Sequence, residues 1–197
     1  MINHMQLRSL LETQIETNHA YYGDAWTTVW KRNSIRNSIY REFAEFLDEV
    51  EAAWHCYKPN PKFDQVAAVY ELVDIIHFML CNTLTVHNIK SKDDLRRLVY
   101  QIPKSDPFEE AVFSSPEQNG VSFTEVEGAF TEYMYYNGDL EETAKFLDKA
   151  CRFLGIDIDT YLKAHMRKNS RNRLRAASGV LEGKYDKSKE VPLTLEF

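Results

Sequence analysis

Leu7, Leu10, Leu11 and Ile15 recur at the spacing of one helix face, which predicts a first helix over residues 6–20. A loop rich in aromatic residues follows at 21–33, with Tyr21, Tyr22, Trp26 and Trp30. From Ser34, read as an N-cap, Ile35, Ile39, Phe43, Phe46, Leu47 and Val50 trace a long amphipathic helix. It has to stop before Pro59 and Pro61, because the residue ahead of a proline is pushed out of the α region. Asp64 caps a third helix that runs to Val86. Further on, a short helix is predicted over 92–100, irregular structure over 103–120, and a helical hairpin over 122–136 and 139–154 broken at Asn137-Gly138. Asp157 or Asp159 opens a last long helix to Ala177, and 178–197 reads as an extended tail. The pattern is all-α throughout.

Composition narrows this picture. The 197 residues include 44% apolar and 27% charged side chains, ordinary values for a chain that buries a sizeable core. Seven glycines and six prolines are too few for the turns of a sandwich or barrel. The formal charge of −6 argues against a general nucleic-acid binder, which needs a positive footprint. Cys56, Cys81 and Cys151 show no metal-ligand spacing and read as reduced, mostly buried thiols. Residues 1–20 have no apolar signal core, and no run of eighteen uninterrupted apolar residues marks a membrane span. The expectation is a cytoplasmic protein with no membrane partner.

Carboxylates in an apolar setting carry the chemistry. The stretch VAAVYELVDIIHFML at 66–80 is apolar on nearly every side, and Glu71, Asp74 and His77 are its only strongly polar residues. Steps of three residues turn only about 60° around a helix axis, so the three form one stripe. Glu42, Glu45 and Glu49 share a face of the preceding helix. Helices joined by a short turn pack antiparallel, which sets Glu42 and Glu45 opposite Glu71 and Asp74. Carboxylates so crowded repel and take up protons unless divalent ions lie between them. Oxygen-only ligation suits Mg²⁺, with Mn²⁺ as the alternative. Two blander readings compete: a solvated acidic face for Glu42, Glu45 and Glu49, and pairing of Glu71 and Asp74 with arginines such as Arg36 or Arg41.

A basic segment complements the acidic one. No Asp or Glu occurs from Thr160 to Leu181, and nine of the 24 lysines and arginines lie between Lys163 and Lys189. Lys168, Arg171, Asn172 and Arg175 fall on one helix face, a set that can surround a polyphosphate with point charges and a planar guanidinium. Charge alone is equally compatible with a solvated basic face.

Taken together, Glu42-Phe-Ala-Glu45 and Glu71-Leu-Val-Asp74-Ile-Ile-His77-Phe78 resemble the E-x-x-E…E-L-V-D-x-x-H-F signature of the dimeric all-α dUTPases, within the wider all-α nucleotide pyrophosphohydrolase superfamily that includes the MazG proteins. The run Lys168-Asn169-x-x-Asn172-x-x-Arg175, followed by Gly179, Gly183, Tyr185 and Lys187, resembles that family's final motif. Gln14 with Thr17 or Asn18 stands where the family has a Gln…Asn element against the base. The resemblance covers residues 10–85 and 157–190.

The resemblance implies a four-helix core, formed by 1–90 and 156–190, with an inserted helical subdomain at 91–155 and a tail at 191–197. It implies a homodimer that hydrolyses dUTP, and also dUDP, to dUMP with Mg²⁺ as cofactor. Glu42, Glu45, Glu71 and Asp74 would hold the metals, with Glu45 also orienting and deprotonating the attacking water. Lys168, Arg175 and Lys187 would contact phosphates and Asn172 the sugar or a nearby phosphate, with Asn169 beside them in the binding set. Phe78 would lie against the deoxyribose, and Gln14, Asn18, His77 and Trp54 around the base. The chain has Leu174-Arg175-Ala176 for the family's Phe-Arg-Gln, Gly179-Val180 for Gly-Tyr, and Trp54-His55-Cys56-Tyr57-Lys58 for W-K-x-W. Base choice therefore stays open toward dCTP or other deoxynucleoside triphosphates. A di-metal oxidative bundle would need two Glu-x-x-His elements, and the sequence offers only Asp74-x-x-His77. A non-enzymatic reading, a nucleotide-responsive interaction protein, would use Phe113, Phe123, Tyr133, Tyr135 and Tyr136 to dock a partner; their blander role is the core of the inserted subdomain.

Overall fold

A computed structural model describes residues 2–101, 120–136 and 140–196. Among these residues the fold is all-α, with no strand. Helix α1 spans His4–Tyr22, α2 Trp26–Val29, α3 Arg32–Glu49, α4 Glu51–Trp54, α5 Gln65–Val86, α6 Lys92–Gln101, α7 Phe123–Tyr135, α8 Leu140–Phe153 and α9 Ile158–Ala177. The expected irregular segment at 103–120, except Gly120, the Asn137-Gly138 break and Phe113 lie outside the described residues.

Local chemistry explains most of the helix starts. The Asp64 side chain accepts from Ala67 N at 3.0 Å and Asp157 from Thr160 N at 2.7 Å, so each satisfies an amide that α5 or α9 leaves without a partner. Asn3 and Gln6 exchange side-chain and backbone hydrogen bonds at 2.9 Å at the head of α1, which starts the helix earlier than its apolar spacing suggested. Glu125 reaches back to Ser122 N at 2.8 Å to open α7. Ser34 is not a cap: α3 begins at Arg32 after an extended Lys31, so Ser34 lies inside the first turn.

α3 and α5 pack along each other as an antiparallel pair. Asp64 N donates to Glu49 O at 2.8 Å and Ala52 N to Lys62 O at 2.9 Å, which fixes where the chain turns back. Glu42 lies seven residues before Glu49, and Glu71 seven after Asp64. At 1.5 Å of rise per residue both stand about 10 Å from the turn, hence opposite each other. Ile35, Ile39 and Phe46 of α3 meet Leu72, Val73, Ile76 and Leu80 of α5 in the core, each fully buried side chain contributing roughly 1.5–3 kcal/mol.

α1 and α9 close the other side of α5, and the hairpin of α7 and α8 packs on it through α8. Phe43 of α3 stacks on Phe130 of α7 with ring centroids 3.7 Å apart and planes 7° apart. Phe146 of α8 completes that aromatic cluster. Of the aromatics considered for docking, Phe123 and Tyr133 are core residues, while Tyr135 and Tyr136 are exposed. By length and composition α5 could cross a membrane, yet 72% of its most apolar window is buried within the fold.

Two further expectations need correction. Cys81 and Cys151 are buried, but Cys56 is exposed beside Pro59 in the turn after α4. The C-terminal tail is no free extended arm. It makes single 3₁₀ turns at Val180–Glu182 and Lys187–Lys189 and then lies back on the helices, with Leu193 and Leu195 half-buried against the core.

Candidate functional site

The α3–α5 register brings three carboxylates together. One oxygen each from Glu42, Glu45 and Glu71 lies within 4.8 Å of the others, and all three side chains are half-buried. Burial is the first reason that the Glu42 carboxyl rises to about 7, followed by the charges of Asp74, Glu45 and Glu71. Glu71 is likewise pushed up to about 7, by burial and then by Asp74, with Lys168 pulling the other way. Such a set holds protons in place of a missing positive charge. A hard divalent cation fits the same position, because the donors are all oxygen and the excess is negative.

Asp74 stands beside this trio with its oxygens already engaged. Lys168 Nζ of α9 is 2.6 Å from Oδ2, and His77 Nδ1 is 3.4 Å from Oδ1. Burial raises the Asp74 carboxyl, but His77 and Lys168 together hold it below its ordinary value. The arginines considered as partners are elsewhere: Arg41 donates to Glu45 at 3.0 Å, and Arg36 Nη2 donates to Met134 O at 3.2 Å. Glu49 is paired with Lys62, and its charge still reaches Glu71.

Next to Asp74 opens a cavity of about 180 Å³ between α1, α5, α9 and the aromatic loop. Gln14, Asn18, His77, Phe78 and Asn172 all line it, so five of the ten expected substrate contacts share one wall. Thr17, Tyr21, Tyr22, Trp30, Asp74 and Cys81 complete the lining. Trp30 sets its edge on Phe78 and on Tyr22, with centroids 5.9 and 5.8 Å apart. Gln14 Oε1 and His77 Nε2 are buried polar atoms with no hydrogen-bond partner, waiting for a ligand to complete them.

The remaining expected contacts lie outside this wall. Trp54 is on the surface at the end of α4, its Nε1 donating to Leu47 O at 2.9 Å, and the aromatic residues that line the cavity are Tyr21, Tyr22, Trp30 and Phe78. Asn169 is fully buried, accepting from Thr17 Oγ1 at 2.9 Å, and so ties α9 to α1 behind the cavity. Lys187 is exposed on the second 3₁₀ turn. Arg175 is half-buried, donating from Nη1 to Asn172 Oδ1 at 3.3 Å and pairing through Nε and Nη2 with Glu190. Behind the cavity, the His77 ring meets the fully buried His165 ring at 4.5 Å, and His165 Nδ1 is 3.1 Å from Tyr161 Oη. Burial and the neighbouring His77 depress the His165 imidazole well below its usual range, so it packs as a neutral ring.

Sequence reasoning missed the aromatic residues at the cavity. Tyr22, which ends α1, and Trp30 carry no period that links them to Gln14 or His77, and the only signal was the density of aromatics over 21–33. The arrangement as a whole offers a carboxylate cluster for a cation, a lysine poised against one of its neighbours, and a half-apolar slot with unpartnered polar atoms on Gln14, His77 and Trp30. It suits a nucleotide whose phosphates are met by the cluster and whose base enters the slot. A family model described as dUTPase matches residues 2–180 of the chain. No curated protein matches it in sequence.

Proposed function

The chain belongs to the dUTPase family, whose reaction is the hydrolysis of dUTP, and we propose that it releases dUMP and pyrophosphate in a Mg²⁺-dependent reaction at the carboxylate cluster. The observation that carries this reading is the convergence of Glu42, Glu45 and Glu71 oxygens within 4.8 Å, with the charge of Asp74, which lines the cavity of about 180 Å³, acting on Glu42 and Glu71. Bound Mg²⁺ would neutralise charge on the phosphates and acidify a water for in-line attack on phosphorus.

The chain's own residues supply the rest. The Glu45 side chain is 45% exposed and is paired with the surface guanidinium of Arg41, so it can turn toward a water, orient it and accept its proton. Lys168, fixed by Asp74, places a positive charge at the cavity rim, where the departing phosphate develops negative charge. Phe78 and Trp30 form an apolar wall for the deoxyribose, and their bulk disfavours a 2′-hydroxyl. Gln14 Oε1 is an acceptor without a donor, which matches the N3–H of uracil and not the bare N3 of cytosine. That atom favours dUTP over dCTP. dUDP presents the same base and sugar and is expected as a slower substrate. In solution the enzyme is a homodimer in this reading, on the family resemblance.

Release of pyrophosphate from dUTP, dCTP and dTTP, and of orthophosphate from dUDP, measured with a Mg²⁺ titration, tests the proposal. dUTP turnover that stops in excess chelator and in Glu71→Gln supports it. Full dUTP hydrolysis in excess chelator refutes the metal role.

A further inference from the structure

Arg175 was expected to meet a substrate phosphate, yet its fork is already filled from within the chain. Nε is 2.6 Å from Glu190 Oε1 and Nη2 is 2.7 Å from Glu190 Oε2, the two parallel bonds by which a guanidinium grips a carboxylate or a phosphate. Arg171 Nη1 adds a third contact at 3.3 Å and Tyr185 Oη donates a fourth at 2.8 Å. Glu190 lies beyond residue 180, where the match to the family model ends.

We propose that Glu190 is an internal stand-in for a substrate phosphate. In the nucleotide-free enzyme its carboxylate fills an anion site built by Arg171, Arg175 and Tyr185, and the polyphosphate of dUTP displaces it. The inference rests on the reading of Arg175 as a phosphate contact. The anion site adjoins the nucleotide cavity directly, since Arg175 Nη1 donates to Asn172, which lines that cavity together with Asp74. The Arg175 charge also acts on Tyr21, another lining residue, as does that of Asp74.

Chain geometry holds the carboxylate there. Beyond it, Val191 O accepts from Arg171, and Thr194 O accepts from Tyr70 Oη at 2.9 Å and from Arg167 Nη1 at 2.6 Å. Leu193 and Leu195 pack on the core. The strap is therefore anchored downstream of Glu190 independently of the Arg175 pair, and release of one side chain does not require the strap to unfold. While Glu190 is bound, the Nε–Nη2 side of the Arg175 fork is filled, and one Nη1 hydrogen goes to Asn172. A phosphate carries more charge and more acceptor oxygens than a carboxylate, so exchange favours substrate, but every binding event must break the internal pair first.

The test compares wild type, Glu190→Gln, Glu190→Asp, Arg175→Ala and the double variant, with Mg²⁺ present. Steady-state dUTP hydrolysis and calorimetric binding of pyrophosphate are the readouts, with thermal unfolding confirming that each variant is folded. In Glu190→Gln the KM for dUTP and the Kd for pyrophosphate should both fall about fivefold, the size of a partly exposed ion pair, at unchanged kcat. Glu190→Asp, too short to span the fork, should fall between. The substitution should have no effect once Arg175 is alanine. A raised KM in Glu190→Gln would mean that Glu190 orients Arg175 for the substrate, and would overturn the proposal. So would an unchanged KM alongside weakened binding in Arg175→Ala. If Arg175→Ala leaves both constants untouched, the phosphate reading of Arg175 itself fails.

Discussion

The side-chain amide of Gln14 donates to Cys81 Sγ at 3.3 Å, and its second hydrogen goes to Asn18 Oδ1 at 2.9 Å. Both donors are thus spent inside the protein, and the amide presents only its oxygen to the cavity. Asn18 Nδ2 also reaches Cys81 Sγ, at 3.5 Å, so the sulfur holds both amides. Burial pushes the Cys81 thiol up to about 12, which keeps it protonated and neutral in this role.

Replacing Cys81 by alanine removes one of the two acceptors that fix the Gln14 amide, Asn18 Oδ1 being the other. The amide can then turn its nitrogen toward the cavity and meet the N3 of cytosine. The ratio of kcat/KM for dUTP over dCTP should drop roughly tenfold in Cys81→Ala, the value of one hydrogen bond gained by one base and lost by the other. Serine keeps an acceptor at the position and should retain the preference. An unchanged ratio in Cys81→Ala would show that the thiol does not set the orientation.

The carboxylate cluster makes stability and metal binding respond to pH in a stated direction. Glu42 and Glu71 sit near 7 in the folded protein against an ordinary 4.5, so between these values the folded state holds more protons than the unfolded one. Stability of the metal-free protein therefore falls as pH rises through that window. Asp74 and Glu190 run the other way: both are held low, and their contribution is lost only when the pH drops through their depressed values. Thermal unfolding at pH 5 and pH 7 in chelator should show this decline, and Glu42→Gln should flatten it. Added Mg²⁺ should reverse the decline at pH 7, where the carboxylates are giving up their protons, and do little at pH 5.

Much of this arrangement is written locally in the chain. Glu71 and Asp74 stand out because an apolar helix has no reason to carry carboxylates unless something compensates them, and Asp64 and Asp157 announce helix starts by chemistry confined to three residues. Contacts made across the fold leave no such trace. Trp54 was placed at the base from a motif that this chain carries in altered form, whereas the wall is built by Trp30, whose only cue is a cluster of loop aromatics. Asn169 sits within a binding motif but faces Thr17 on α1, because helix rotation relative to a neighbour is set by packing and not by spacing. The Arg175–Glu190 pair spans fifteen residues of a tail without periodicity, so no pattern in the sequence announces it.

Phe130 offers a test of how firmly the α7–α8 hairpin is bound to the catalytic helices. Its ring lies flat on Phe43, one residue from Glu42, and touches Phe146 as well. Phe130→Ala should lower the unfolding free energy by about 3–5 kcal/mol in urea titration, the range for an aromatic removed from a core. Because the stack backs α3, the KM for Mg²⁺ should also rise. A variant with lost stability and unchanged Mg²⁺ dependence would show that α3 keeps its position without the hairpin.

Lys168 balances the site in the absence of metal. It is 2.6 Å from Asp74 and lowers the carboxyls of Glu42 and Glu71 as well, so it is the cation that three acidic groups share. Removing it leaves Asp74 half-buried among like charges, with His77 as its remaining hydrogen-bond partner. Lys168→Met keeps the aliphatic stem and deletes only the charge. In chelator this variant should unfold at lower temperature than wild type at pH 7, and the difference should shrink at pH 5 as Glu42 and Glu71 take up protons. Saturating Mg²⁺ should restore most of the stability, since the ion replaces the lost charge. It should not restore turnover, because the ammonium that faces the departing phosphate is gone; a loss of about 10²-fold in kcat is expected for one such electrostatic contact. Full turnover with restored stability would assign Lys168 to folding alone and leave phosphate stabilisation to Arg175 and Lys187.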